Sequence, residues 1–202
     1  MRVTRRWRLK LDSVVRNQVV SFESEELILV DSDDREIGHN SKAACHDGDG
    51  MLHRAFSLFI FNEQGELLLQ QRGREKRLWP GYWANSCCSH PRRGETMAEA
   101  TQRRLRQELG FECPLEFVFK FEYHADFGDL GAEHELCWVY TGAAPADAVR
   151  ANVNEIEATR FVTPAELDRE IATTPAQFTP WLKLEWQRLR GEFRDRLPSV
   201  VE

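Results

Sequence analysis

Two apolar runs separated by a three-residue loop commit this chain to a sheet. HRAFSLFIFN (53–62) and ELLLQQR (66–72) flank a connection containing Gly65, the composition of two strands joined as a hairpin. Further strands are expected at 26–30 (ELILV), about 114–124, 134–142 and 158–162. ELILV runs into the turn-rich DSDDREIG, and RGREKRLWPGYW reads as an exposed loop that turns at Pro80-Gly81. Between the strands, residues 96–109 form a helix with readable ends: Thr96 and Glu99 make a T-x-x-E capping box, and Gly110 is a C-terminal stop. Met97, Thr101, Leu105 and Leu109 fall on one stripe of that helix, which leaves Arg104 and Glu108 together on another side. A second helix is expected over 163–171, and an amphipathic one begins near Pro180. Strands and helices mixed in this order indicate an α+β or α/β sandwich. Residues 1–24 read as an N-terminal extension, helical or loose, ahead of a single domain over 25–202.

The net charge of −6 argues against a nucleic-acid scaffold, because phosphate contacts along a duplex need a basic face. An anionic substrate must therefore meet a local basic cluster, for which RGREKR (72–77) and Lys42 are the candidates. No apolar run approaches the roughly 20 residues that span a bilayer. The basic N-terminus lacks the apolar core of a secretory signal. Five cysteines without C-x-x-C spacing do not suggest a disulfide framework, so a reduced, cytoplasmic protein is expected.

His46, His53 and His90 stand near these elements, and E-H-E-L (133–136) opens a predicted strand. Alternation along a strand turns Glu133 and Glu135 to one face and His134 to the other. Two carboxylates on one face repel, and a cation between them resolves the conflict. Three imidazoles and two carboxylates make a mixed site suited to Mn²⁺, Mg²⁺ or Zn²⁺; spacing alone leaves surface histidines and a solvated pair of acids as the other reading. A structural zinc held by Cys45, Cys87, Cys88, Cys113 and Cys137 fits none of the usual ligand spacings.

Residues 89–111 resemble a Nudix box, G-x5-E-x7-R-E-U-x-E-E-x-G-U, in which U is a bulky apolar residue. Glu95, Arg103, Leu105, Glu108, Gly110 and Phe111 match, Ser89 stands at the first Gly, and Arg104 and Gln107 replace two acids. Nudix hydrolases gather cations on those glutamates, so their loss weakens a hydrolase reading. With GHNSKAACH (38–46), LHRAFSLFIFN (52–62), LLLQQR (67–72), WPGYWANSCCSHP (79–91), GAEHEL (131–136) and TPW (179–181), the chain resembles the type I isopentenyl-diphosphate delta-isomerases over about 160 residues. The Cys-Cys-Ser-His form is similar to the eukaryotic variant of that family.

The resemblance implies an α/β/α Nudix-type sandwich, a mixed sheet flanked by helices, and interconversion of isopentenyl and dimethylallyl diphosphate, a small-molecule diphosphate pair. It implies a buried divalent metal on His46, His53, His90, Glu133 and Glu135. A second Mg²⁺, arriving with the substrate, would meet Glu108 and the carbonyl of Cys88. Lys42, Arg72, Lys76 and Arg104 would contact the diphosphate. Cys88 and Glu135 would be the catalytic pair, helped by Tyr123, with Trp181 beside the hydrocarbon. If NSCCSHP runs extended, Cys88 shares the metal-side face with His90, while Cys87 and Ser89 point away. A Nudix hydrolase of small organic diphosphates and a metal-stabilised binding module without turnover are the competing functions.

Overall fold

The computed structural model describes residues 17–198. Among the described residues nine strands form one mixed sheet: β1 (Glu26–Val30), β2 (Glu36–Ser41), β3 (His53–Phe61), β4 (Leu67–Arg72), β5 (Trp83–Ala84), β6 (Cys87–Ser89), β7 (Leu115–Asp126), β8 (Ala132–Ala143) and β9 (Ile156–Val162). β3 is the hub. It runs parallel to β8 along its whole length, and antiparallel to β1, β4 and β6. β7 extends the sheet beyond β8, and β9 pairs with β4. The expected hairpin is present, with Asn62 closing its turn through hydrogen bonds to Gln64 and Glu66.

Strand β3 is buried on both faces because helices cover both. Phe56, Leu58 and Ile60 pack with Leu105, Leu109 and Phe111 on one side. Phe59 and Phe61 pack with Leu167, Leu182, Trp186 and Leu189 on the other. The helices are α1 (Lys42–His46), α2 (Met97–Arg104), α3 (Pro164–Thr173) and α4 (Pro180–Gly191). The predicted capping box forms at Thr96/Glu99, and a second one, not predicted, forms at Thr163/Glu166.

Four expectations need correction. DSDDREIG is not simply a turn: Asp31 closes it by accepting from Asp33 and Arg35, and β2 then returns along β1 before α1 begins, capped by Ser41. The 96–109 helix is α-helical only to Arg104; Leu105–Leu109 is a π-turn, ending at Gly110 with φ 79°. A side chain at Gly110 would place Cβ 2.6 Å from Cβ of Arg150, so close approach as well as backbone angle demands glycine there. The loop after β4 is not simply exposed, since Leu78 and Trp79 are buried in the core. Of the N-terminal extension, residues 1–16 lie outside the described residues. Residues 18–22 lack regular structure but are not loose: Val20 is buried and its carbonyl accepts from Arg104 at 3.0 Å.

Among the described residues no helix is long and apolar enough to cross a membrane.

Candidate active site and metal centre

Sheet register builds the site. His53 lies beside Glu135 in the parallel β3/β8 pairing, and Glu135 lies opposite Tyr123 in the antiparallel β7/β8 pairing. One line of residues across three strands therefore carries a histidine, a carboxylate and a phenol, and Tyr123 donates its hydroxyl to Glu135 Oε2 at 2.7 Å. His46 comes from the last turn of α1, which docks where Gly131 removes any side chain; a Cβ there would fall 2.0 Å from the carbonyl oxygen of His46. His90 follows β6. Arg103, itself paired to Glu95 at 2.7 Å, donates to the His90 carbonyl at 3.2 Å. Two matched residues of the box thus hold a loop in place.

The five expected metal-site residues converge: one ligand atom from each of His46, His53, His90, Glu133 and Glu135 lies within 4.8 Å of all the others. The three imidazole centroids are 4.8–5.3 Å apart. His46 Nδ1 is 2.7 Å from the Lys42 carbonyl and His53 Nδ1 is 2.7 Å from the Met51 carbonyl. A carbonyl oxygen only accepts, so both Nδ1 atoms carry a proton, which turns Nε2 of each ring to the cluster as the atom able to ligate when the ring is neutral. His46 Nε2 meets Glu133 Oε2 at 2.8 Å; burial lowers the ring's affinity for a second proton, but Glu133 more than offsets this and raises it, so the two pair through that proton until a cation replaces it. His53 Nε2 is buried without a hydrogen-bond partner, 3.8 Å from Glu135 Oε1. A buried lone pair turned towards carboxylates calls for a cation. The donor set fits a divalent ion.

The electrostatics agree. Burial pushes His53 down to about 4 and holds His90 well below the usual imidazole range, which keeps both rings neutral. Burial would raise Glu133, but His46 beside it more than offsets this and holds the carboxyl near 2. Burial and the neighbouring Glu133 push Glu135 well above the usual carboxylate range. Neutral donors and one ready carboxylate are what a hard or borderline cation requires. No cysteine joins the five-residue cluster, and all five cysteines are free, so the thiolate zinc site does not form among the described residues.

Beside this cluster is a cavity of about 510 Å³. It is lined by the cations Lys42, Arg72, Lys76 and Arg104 and by Cys88, Tyr123, Glu135 and Trp181, so every expected substrate and catalytic residue reaches one space. Cys88 lies opposite Ser57 in the β3/β6 pairing and faces the cavity; Cys87 lies opposite Leu58 and is buried in the other core layer. Ser89 also reaches the cavity wall, because the strand ends there and strict alternation ends with it. Burial pushes the Cys88 thiol up to about 12, against the lowering pull of Arg72, whose Nη1 is 3.8 Å from its sulfur. Trp181 stacks at a right angle against Trp79, with centroids 5.3 Å apart, and its indole N–H is fixed by Asn85 at 3.2 Å. Arg72 sits over the same indole, 5.1 Å from the centroid.

Glu108 sits differently from the rest. It is buried outside the cavity lining, and its Oε1 accepts from Arg104 Nε at 2.8 Å and Nη2 at 2.5 Å, and from Cys87 at 3.4 Å. The side expected to hold Arg104 and Glu108 apart from the core is therefore a buried ion pair.

Sequence reasoning missed Glu155 and Glu185. Glu155 follows a loop with no pattern of its own. Glu185 had a signal: it lies four residues past Trp181 and four before Leu189, on the apolar stripe of α4. It is fully buried, accepts from Cys137 at 3.4 Å, and burial raises its carboxyl to about 8. Between its ordinary 4.5 and that value the unfolded chain has released a proton which the folded chain keeps, so stability falls as pH rises through this window and levels above it. Glu185→Gln cannot ionise. It should be more stable than the parent at pH 8 by on the order of a few kcal/mol, with the advantage shrinking towards pH 4.5, as urea melts at both pH values would show.

Residues 51–182 match the NUDIX domain family. A crystal structure from Deinococcus radiodurans superposes with a TM-score of 0.66 at 25% identity, covering 81% of this chain and 98% of that one. The fold and a cluster able to hold a metal define a Nudix-class protein, one that uses divalent metal. Isopentenyl-diphosphate Delta-isomerase 1 of Photorhabdus laumondii is 39% identical over 178 residues, covering 86% of this chain and 99% of the relative. The isopentenyl-diphosphate Delta-isomerase of Serratia proteamaculans is 45% identical over 165 residues, covering 78% and 87%. The chain belongs to the isopentenyl-diphosphate Delta-isomerase family.

Proposed function

We infer that this chain interconverts isopentenyl diphosphate and dimethylallyl diphosphate, moving a proton on at one end of an allylic unit and off at the other. The observation that carries the reading is that one cavity is lined both by four cations and by a thiol, a phenol-bonded carboxylate and an indole. Lys42, Arg72, Lys76 and Arg104 are the residues to hold the diphosphate, whose charge Arg and Lys neutralise. The hydrocarbon then lies against Trp181, Cys88 and Glu135.

Protonating an unactivated alkene makes a tertiary carbocation, so an acid and a base are needed on opposite faces of the allylic unit. Cys88, which burial keeps as a thiol, and Glu135, bonded to Tyr123, are assigned as that pair. The face of Trp181 stabilises the cation by about 2 kcal/mol when dry, about 30-fold in rate. It assists the proton-transferring pair and cannot replace it. The aromatic wall of Trp79, Tyr82 and Phe127 around it keeps out water, which would capture the cation as an alcohol.

His46, His53, His90, Glu133 and Glu135 are assigned to one divalent ion, Mn²⁺, Mg²⁺ or Zn²⁺. When bound, it neutralises the facing carboxylates and lowers the proton affinity of Glu135. Glu108 and the Cys88 carbonyl are assigned to the Mg²⁺ that the diphosphate brings. For this, Glu108 must share its carboxylate between that ion and Arg104. A hydrolase reading fares worse, since Arg104, where the box has an acid, is spent on ion pairs with Glu108 and Glu155. The test is turnover of isopentenyl diphosphate with Mg²⁺ in D₂O. Deuterated dimethylallyl diphosphate is expected; released phosphate in its place would support the hydrolase, and binding without exchange a non-catalytic module.

A further inference from the structure

Glu155 has no part in the assignments above, yet it is buried at 3% exposure and lines the substrate cavity. Its carboxylate pairs with Lys76 and, at 3.3 Å, with Arg104 Nη2. Those are two of the four cations assigned to the diphosphate. Lys42 lies in the same wall, and like charges confined together spread apart or lose protons unless a counter-charge holds them.

A buried acid in this position has one plain alternative role, tethering its own loop. The backbone already does that. The Glu155 carbonyl accepts from Gly73 N–H at 2.8 Å, its N–H donates to the Asn152 carbonyl at 3.0 Å, and Asn152 N–H donates to the Glu108 carbonyl at 2.8 Å. Asn152 is anchored again through its side chain, which donates to the carbonyls of Gln18 and Gln107. The loop is thus stitched to the strand-β4 exit and to the π-turn without any use of the Glu155 carboxylate. What that carboxylate holds is two long cationic side chains that start from separate elements, the loop after β4 and the end of α2.

We propose that Glu155 is a positioning residue of the diphosphate subsite, holding Lys76 and Arg104 together and directed at the cavity before substrate arrives. The proposal rests on reading this cavity as the diphosphate site. A lysine stem free in solvent loses its rotamer freedom only when the anion binds; one tethered beforehand has lost it already, and the anion binds more tightly for it. Lys76, the more exposed of the two at 21%, depends on the tether more than Arg104, which Glu108 and the Val20 carbonyl also hold.

The test titrates inorganic pyrophosphate with Mg²⁺ into the metal-loaded full chain by calorimetry, using the parent, Glu155→Gln, Lys76→Met and the double variant. Glu155→Gln should raise the Kd about tenfold or more, and in the Lys76→Met background its effect should shrink to about threefold, the mark of a residue acting through its partner. KM for isopentenyl diphosphate should rise with Kd and by a larger factor than kcat falls, a split that general loss of folding does not produce. An unchanged or lower Kd in Glu155→Gln, or full additivity with Lys76→Met, overturns the proposal. If Glu155→Gln does not fold, Glu155→Asp asks the same question by withdrawing the charge one methylene, and an unchanged Kd there overturns it too. A parent that binds no pyrophosphate overturns the diphosphate reading and this proposal together, whereas a parent that binds it with the variants unaffected overturns this proposal alone.

Discussion

Cys88→Ala should give a folded protein with turnover lower by about 10²–10⁴-fold, because one member of a two-group proton transfer is gone. Cys87→Ala should do the opposite, keeping most of its turnover and losing stability. The two residues are neighbours, but β6 turns them to opposite sides of the sheet. Cys88 meets the cavity, Arg72 and the aromatic wall. Cys87 is buried against Leu58 and Leu105, with its sulfur 3.4 Å from Glu108. Truncating it leaves a small void and one fewer hydrogen bond to a buried carboxylate, at a cost of about 1–3 kcal/mol. Turnover and urea melts on both variants check the pair of expectations. An active Cys88→Ala, or a dead but stable Cys87→Ala, would reverse the choice of catalytic cysteine.

Exhaustive chelation should take turnover to background and lower the melting temperature, and added divalent metal should restore both. The second readout follows from the geometry. Stripped of its ion, the site is left with His53 Nε2 buried without a partner, and with His46 and Glu133 paired only by taking up a proton. Unmet acceptors of this kind cost about 1–3 kcal/mol each. His53→Ala should bind metal more weakly and be less active, yet should lose less stability on chelation than the parent, because that unmet group is absent. A parent whose activity and melting survive complete metal removal would dispose of the centre.

How much of this could be read in advance depended on whether the signal was local. The β3/β4 hairpin, the Thr96/Glu99 capping box and the alternation in E-H-E-L rest on residues within a few positions of each other, and each was legible. Strand β2 and helix α1 were not, although α1 carries His46 and Lys42. The helix is one turn long, and what fixes it is distant: the space left by Gly131 and the contact of its histidine with β8. The π-turn was invisible for a similar reason, since Leu105–Leu109 has ordinary helical spacing and only its packing against the loop at Arg150–Asn152 distinguishes it. The candidate metal ligands were read partly from composition and strand alternation and partly from family resemblance. Of the two missed acids, Glu155 is on a loop with no motif, whereas Glu185 had a local signal in its place on the apolar stripe of α4.

The line His53–Glu135–Tyr123 crosses three strands, and β3 meets β8 in parallel from far away in the sequence. Such long-range pairings are slow to form during folding. A slip of β8 by one residue would turn Glu133 and Glu135 to the wrong face and bring His134 round in their place. A sheet mispaired in this way loses both carboxylates at once and keeps only the three histidines, which come from other elements. An ion held at this centre would act as a proofreader of strand registry, bound in full only by chains whose middle strands have found their correct partners. Metal uptake followed during refolding would then time the completion of the sheet.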